Sequence, residues 1–319
     1  MKPYLLFFIF ASSFFLSNAQ SDIKDQDAIE KYTQSVGSMT ASNIAYIADT
    51  LTRIYSNKNQ KAFSLYSWIA HNIELDPKTT RSNDHKNSDP AIVIQMRKTT
   101  PFGLATLFQE MCSMANIRCL VVNGYTKKNT DDINTISDAP NHSWNVVQLG
   151  QSSHLWYYID VSKACGTLDK KQTIFKPFYS AGYFFPNRKL FNLDHFAENP
   201  SWQLGISPQN LKEFYSTPLI NDGAYLIGLQ NFSPKNGYIK AETENSIRFN
   251  FKHLAATKIN SISLIIGENT KQKRIENIQF TDDNTETSFS FTFKKEDVFP
   301  FKIVVNELEV LTYIVEISE

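Results

Sequence analysis

The spacing of apolar residues changes along this 319-residue chain from helical to alternating, and this change constrains the fold more than any other feature. In the first part, apolar residues recur every three to four positions, which predicts amphipathic helices over 42–55, 61–73 and 101–114. Strand-like segments follow at 118–125, 143–149 and 155–161. Helices followed by an antiparallel set of strands predict an α+β fold for this part of the chain.

The starts of two of these helices carry capping signals. Thr100 is suited to be the N-cap of the third helix, and Pro101 to be its first residue, where a missing N–H costs nothing. Ser42 is placed to cap the first helix in the same way. The polar stretch 78–90 predicts a loop.

After Pro208 the chain alternates between apolar and polar residues. The alternation is clearest at 246–253 and 287–293, and it is typical of half-buried strands. Further strand-like segments lie at 225–229, 261–266 and 301–317. We therefore predict two domains, residues 20–207 and an all-β, immunoglobulin-like sandwich of two antiparallel sheets over 208–319.

The first nineteen residues have the pattern of a signal peptide. Lys2 precedes an apolar run of about 13 residues, too short to span a bilayer as a helix. Small residues at Ser17 and Ala19 predict cleavage after Ala19, and no cysteine for lipid attachment follows. The pattern predicts a periplasmic or secreted protein with no transmembrane segment after cleavage.

Composition excludes several classes of ligand. Lys and Arg number 32, as do Asp and Glu, and no basic block suggests nucleic-acid binding. Nowhere do the glycines form the G-x-G of a nucleotide-binding loop. Zinc-protease and zinc-finger motifs are absent, and the acidic run 129–138 lacks the glycine and glutamate of a calcium loop. We predict no cofactor and no metal.

Four motifs in the expected order carry a resemblance to a known family. They lie at 61–73, 97–108, 141–145 and 158–161. With them, the stretch 61–168 resembles the transglutaminase-like superfamily, which is papain-related, and most of all its kyphoscoliosis-peptidase-type members. Segments 182–186 and 195–204 are similar to the region that follows the catalytic domain in those members.

The resemblance implies a Cys–His–Asp site in which one member is missing. It places the catalytic histidine at His142 and the aspartate at Asp160, but the position of the cysteine nucleophile is occupied by Pro101. Proline has no nucleophilic group, so we expect a catalytically inactive protein. Its cleft, lined by Pro101, His142, Trp144 and Asp160, is expected to bind a polypeptide or a cell-envelope partner.

Two alternatives stay open at this point. The chain could be an active peptidase or protein-glutamine transamidase that uses Cys165, Thr99 or Thr100 as a rearranged nucleophile. Alternatively, the sandwich could carry the function as an adhesion or carbohydrate-binding module.

The remaining cysteines and histidines are expected to have structural roles. Cys112 is about 16 Å along the third helix from Pro101, and Cys119 is expected to be a small buried residue. The three cysteines could pair, but the sequence does not say how. His195 matches a family position and is expected to be a packing or surface residue, as is His71.

Overall fold

The computed structural model describes residues 16–40, 43–150, 152 and 154–319. Most of the predicted signal peptide, residues 1–15, lies outside the described residues, as does Ser42. The helices of the described part are α1 Leu16–Ser35, α2 Ile44–Thr52, α3 Lys58–Asn72, α4 Pro77–Ser82, α5 Pro90–Met96, α6 Pro101–Met114, α7 Val161–Cys165, α8 Arg188–Asp194, α9 Leu211–Ser216 and α10 Asp222–Leu226.

The strands of the first part are mostly short. They are β1 Glu74–Leu75, β2 Lys98–Thr99, β3 Arg118–Thr126, β4 His142–Gln148, β5 Tyr157–Ile159, β6 Gly166–Leu168, β7 Phe175–Pro177 and β8 His195–Ala197. Those that follow are β9 Leu219–Ile220, β10 Asn231–Ser233, β11 Tyr238–Glu242, β12 Ser246–Lys252, β13 Ile262–Ile266, β14 Lys273–Ile275, β15 Thr281–Asp282, β16 Glu286–Thr292, β17 Asp297–Val305 and β18 Leu308–Ser318.

The capping signals were accurate at the third predicted helix. Helix α6 begins at Pro101, and the Thr100 side chain accepts a hydrogen bond from the Gly103 N–H at 3.2 Å. Helix α2 is capped instead by Asn43, whose side chain accepts from the Tyr46 N–H, so α2 starts later than predicted and stops at Thr52.

The loop predicted over 78–90 was wrong in part, because α4 and the start of α5 occupy its two ends. An aspartate caps each helix and a proline is its first residue: Asp76 with Pro77 in α4, and Asp89 with Pro90 in α5. The capping residues therefore indicate two helices here, although the apolar pattern of this stretch is weak.

The first part of the chain is built on one antiparallel sheet with the strand order β5-β4-β3-β8. Helix α6 packs against β3 and β4, and its buried residues join those of α2 and α3 in one apolar core. This sheet and α6 together position the residues of the candidate site.

The C-terminal part contains two further sheets, with the orders β10-β12-β16-β15 and β11-β18-β17-β13-β14. The strands predicted at 246–253 and 287–293 correspond to β12 and β16, which pair antiparallel. Their inward phenylalanines, Phe249 and Phe289, stack with centroids 5.2 Å apart. The two sheets share one apolar core.

Three predictions for this region were wrong. The segment predicted as a strand at 225–229 contains the end of α10, and the one at 301–317 belongs to two strands, β17 and β18, which form a hairpin. The sheets are also not purely antiparallel, because β11 pairs with β18 in parallel. Parallel pairing cannot be read from alternation, since both kinds of strand have a period of two.

The apolar core is continuous across residue 207. One cluster contains Trp144 and Tyr158 of the first sheet together with Phe249 and Tyr313 of the C-terminal sheets. A buried lysine, Lys127, adds a polar link, because its ammonium donates to the Phe214 carbonyl at 3.0 Å. The domain boundary at 207 stays a prediction.

No helix in the described part of the chain combines the length and the apolar character that crossing a bilayer requires.

Candidate functional site

Two neighbouring strands bring His142 and Asp160 together. His142 is the first residue of β4, and Asp160 directly follows β5, which pairs antiparallel with β4. The two side chains therefore meet at one end of the sheet, with His142 Nε2 2.6 Å from Asp160 Oδ2. Both are largely removed from solvent, at 7% and 0% side-chain exposure.

Asp160 is held by an unusually large number of donors. Its Oδ1 accepts from the Ser162 N–H, the Ser162 hydroxyl and the Lys163 N–H at 2.9, 2.7 and 3.0 Å. Asp160 thereby caps the short helix α7. Burial opposes ionisation of this carboxyl, but His142 and a second histidine, His195, hold its pKa well below its usual value.

Among the candidate site residues, the role of His195 was the hardest to predict from the sequence. It is fully buried, which fits the packing role and not the surface role predicted for it, and its Nε2 lies 2.9 Å from the same Asp160 Oδ2 that His142 contacts. Strand β8 brings it there by pairing with β3, and its ring stacks on Phe191 with centroids 3.8 Å apart. Position 195 is far from 142 and 160 in sequence, and its match to a family position was the only signal.

The electrostatics of His142 favour the neutral ring. Burial lowers its pKa, and the charge of Asp160 offsets this only in part. Its Nε2 faces Asp160, while Nδ1 makes no hydrogen bond to any described residue. His142 therefore has one nitrogen fixed by a carboxylate and one left for a group in the cleft, which is the arrangement of a general base.

Pro101 lies beside His142 at the junction of two clefts. Both residues line a cleft of about 90 Å³, which extends towards Ser162, and a second of about 260 Å³, which extends towards Phe102. The structure thus brings Pro101, at the start of α6, to the wall that it shares with His142.

Two of the residues predicted to line the cleft, Trp144 and Asp160, line neither of the two clefts. Trp144 is only 1% exposed. Its ring meets the edge of His195 with centroids 5.1 Å apart, and its indole nitrogen has no hydrogen-bond partner in the described structure. Trp144 supports the two histidines by packing.

All three cysteines are buried and free. Burial raises the pKa of the Cys165 thiol well above its ordinary value, and this thiol donates to the Ser162 carbonyl at 3.2 Å. Burial also raises the pKa of Cys112, which neighbours Cys119. Burial thus disfavours the thiolate form of Cys165 and Cys112.

The hydroxyl groups that could act as nucleophiles are held in other contacts. The Ser162 hydroxyl is 3.4 Å from His142, but from the same Nε2 that contacts Asp160, and it is hydrogen-bonded to Asp160 Oδ1. Thr100 is buried and uses its hydroxyl to cap α6, and Thr99 is buried in β2. A nucleophile would need to face the other ring nitrogen, Nδ1.

Comparison with known proteins finds a matching family model. Residues 45–161 match the family model described as the transglutaminase-like superfamily. Mouse kyphoscoliosis peptidase is 28% identical over 227 residues, which covers 70% of this chain and 34% of that protein. The human protein of the same name is 26% identical over 226 residues, covering 70% and 33%. The chain thus spans about a third of the length of these curated relatives.

Among solved structures, a putative protease from Parabacteroides distasonis aligns with 85% of this chain and 53% of its own, at 11% identity and a TM-score of 0.29. That score is too low to inform the fold or the site.

Proposed function

We propose that this protein, a member of the transglutaminase-like superfamily through residues 45–161, binds a polypeptide in the cleft around His142 without reacting with it. The superfamily resemblance is supported by the match to the family model and by the two kyphoscoliosis peptidases. The absence of a reaction and the nature of the partner are our proposals.

The observation that carries the proposal is Pro101. It stands at the start of α6 and shares the cleft wall with His142, whose free nitrogen would face a nucleophile. A thiolate at this place would be stabilised by the N-terminus of the helix and activated by the imidazole. The proline ring offers neither a nucleophilic atom nor an N–H group.

The rearranged-nucleophile alternative receives little support from the geometry. Cys165 is buried with a raised pKa, which disfavours the reactive thiolate. The hydroxyls of Thr100 and Ser162 are engaged in a helix cap and in a hydrogen bond to Asp160. Each would need to leave its partner before it could reach His142 Nδ1.

The two clefts support binding of an extended chain. They meet at Pro101 and His142, so one polypeptide could place side chains in the cleft near Ser162 and in the one near Phe102. The free Nδ1 of His142 lies between them and can exchange a hydrogen bond with a backbone group of that polypeptide.

The test uses the full chain and methylated casein, an extended polypeptide, with a fluorescent primary amine as acyl acceptor. We expect neither amine incorporation nor casein fragments, but saturable binding by fluorescence anisotropy. His142→Ala should weaken binding by about tenfold or more, equivalent to roughly 1.4 kcal/mol.

The matched control is His253→Ala, which removes the buried histidine of the C-terminal part, where it contacts Asp282. It should leave binding unchanged. Turnover that disappears in His142→Ala would overturn the inactive assignment, and binding that is insensitive to His142→Ala would overturn the assigned cleft.

Two finer assignments complete the proposal. We propose that the C-terminal sheets form an immunoglobulin-like sandwich, on the basis of their alternating strands and shared core. We also propose that the protein is exported, on the basis of the residue pattern of positions 1–19. Mass spectrometry of the protein purified from its source would then find Gln20 as the first residue.

A further inference from the structure

We propose that His142, Asp160 and His195 form a binding site for a divalent first-row transition-metal ion, with zinc as the natural probe. The inference is independent of the proposed polypeptide binding. It rests on the donor set, on the groups around the donors, and on a hydrogen bond that buried His195 leaves unmade.

The donor set is two imidazoles and one carboxylate. His142 Nε2, His195 Nε2 and a carboxylate oxygen of Asp160 all lie within 4.8 Å of one another. Both nitrogens point at the same Oδ2, at 2.6 and 2.9 Å. Two histidines and one carboxylate are a common ligand set for zinc and for ferrous iron.

Neighbouring residues orient Asp160 and flank His195. Oδ1 of Asp160 accepts hydrogen bonds from Ser162 and from the Lys163 N–H. This leaves Oδ2, which faces the two histidines, as the oxygen that could bind a metal. Asp194 Oδ2 lies 3.5 Å from His195 Nδ1 and accepts a hydrogen bond from Tyr225 at 3.1 Å. A carboxylate behind a histidine is the usual support for a metal-bound imidazole, because it keeps the proton on the distant nitrogen.

One polar contact in this buried cluster is left unmade. His195 is fully buried between the carboxyl groups of Asp160 and Asp194, so each of its ring nitrogens faces an oxygen. A neutral imidazole has one N–H and can satisfy only one of them. In the described structure His195 Nδ1 and Asp194 Oδ1 both lack a hydrogen-bond partner. With its N–H on Nδ1, towards Asp194, His195 would present the lone pair of Nε2 to a bound cation.

The site adjoins a cleft and would have to rearrange to hold an ion. His142 lines the cleft, which offers a route for the ion and a place for a fourth ligand such as water. For zinc bonds of about 2.0–2.1 Å in tetrahedral geometry, donor atoms lie roughly 3.3 Å apart. The two nitrogens must therefore move away from Oδ2 by about half an ångström, and the three donors, which lie within 4.8 Å of one another, must converge on the ion. No sequence motif announces the site, because its ligands come from β4, the end of β5 and β8.

The experiment is a zinc titration of the full chain after removal of metals with a chelator, followed by calorimetry. We expect one zinc ion per chain and an increase in Tm on binding. Cobalt in place of zinc should give the d–d absorption of a site with nitrogen and oxygen ligands. His195→Ala and Asp160→Asn should each weaken zinc binding by about 100-fold or more, and Asp194→Asn by about tenfold.

His253→Ala is the matched control, since His253 contacts Asp282 without a second histidine nearby, and it should not change zinc affinity. Failure of the unsubstituted chain to bind one zinc ion would overturn the proposal, whatever the variants do. Zinc binding that is undiminished in both His195→Ala and Asp160→Asn would overturn it as well. Neither result would bear on binding of casein.

Discussion

Two of the histidine–aspartate contacts in the described structure, His142–Asp160 and His253–Asp282, differ in what surrounds the histidine. In the C-terminal part, His253 Nε2 lies 3.1 Å from Asp282 Oδ1, and its Nδ1 lies 3.1 Å from the Leu254 carbonyl. Both ring nitrogens thus have protein partners. In the first part, Asp160 fixes Nε2 of His142, and Nδ1 is left without a partner among the described residues.

Protein contacts hold both ring nitrogens of His253, whereas His142 keeps one nitrogen available to a ligand. His142 lines two clefts, whereas His253 lines neither of them. A buried His–Asp contact is therefore a weak indicator of a site. The unpartnered second nitrogen and the adjoining space are the features that make His142 a candidate.

The largest expected effect is a loss of stability, and it should differ between variants of Asp160 and Asp282. Asp160 is fully buried and accepts hydrogen bonds or close contacts from two histidines, Ser162 and Lys163. Asp160→Ala should lower the free energy of unfolding by about 3–5 kcal/mol, because it leaves these donors buried and unpaired. Urea denaturation measures this change.

Asp282→Ala is the comparison, since this side chain is 17% exposed and water can replace it. It should cost about 1–2 kcal/mol. Equal losses for the two variants would mean that the dense bonding around Asp160 contributes nothing beyond an ordinary His–Asp contact.

The next effect is a pH dependence of stability. Burial lowers the pKa of His142 from its unfolded value of 6.5, so below about pH 6.5 the unfolded chain binds more protons than the folded one. Stability should therefore fall on acidification from about pH 7 to about pH 5, by at most about 1.4 kcal/mol per pH unit from this residue. His142→Gln should flatten the dependence, which denaturation at several pH values would show.

A steeper fall in His142→Gln than in the unsubstituted chain would contradict this sign. It would mean that attraction to Asp160 outweighs burial, and that the folded protein binds a proton at His142 more tightly than the unfolded one.

Much of the first part of the fold could be predicted because its signals are local. Thr100 and Pro101 mark the start of α6 through capping and the fixed backbone angle of proline, and the structure confirms both. The strand that begins with His142 was predicted one residue late, over 143–149, and the one predicted over 155–161 ends at Ile159, so Asp160 follows the strand and caps α7. The order of the motifs then indicated which residues would meet.

The features that could not be predicted depend on contacts between residues that are far apart in the sequence. His195 reaches Asp160 only because β8 pairs with β3, and no periodicity encodes that partner. Trp144 was expected in the cleft, yet packing against His195 places it beneath. Helix α10, only five residues long, is too short for a helical period to be distinguished from a strand.

The central claim is that the site lacks only its nucleophile, and Pro101→Cys tests it most directly. The measurement is the rate of alkylation by iodoacetamide near pH 6, in this variant and in the double variant Pro101→Cys, His142→Ala. We predict one rapidly modified thiol in the first, slowed about tenfold or more in the second, because the imidazole and the start of α6 should stabilise a thiolate at position 101. A thiol at 101 that reacts equally fast with and without His142 would contradict the account.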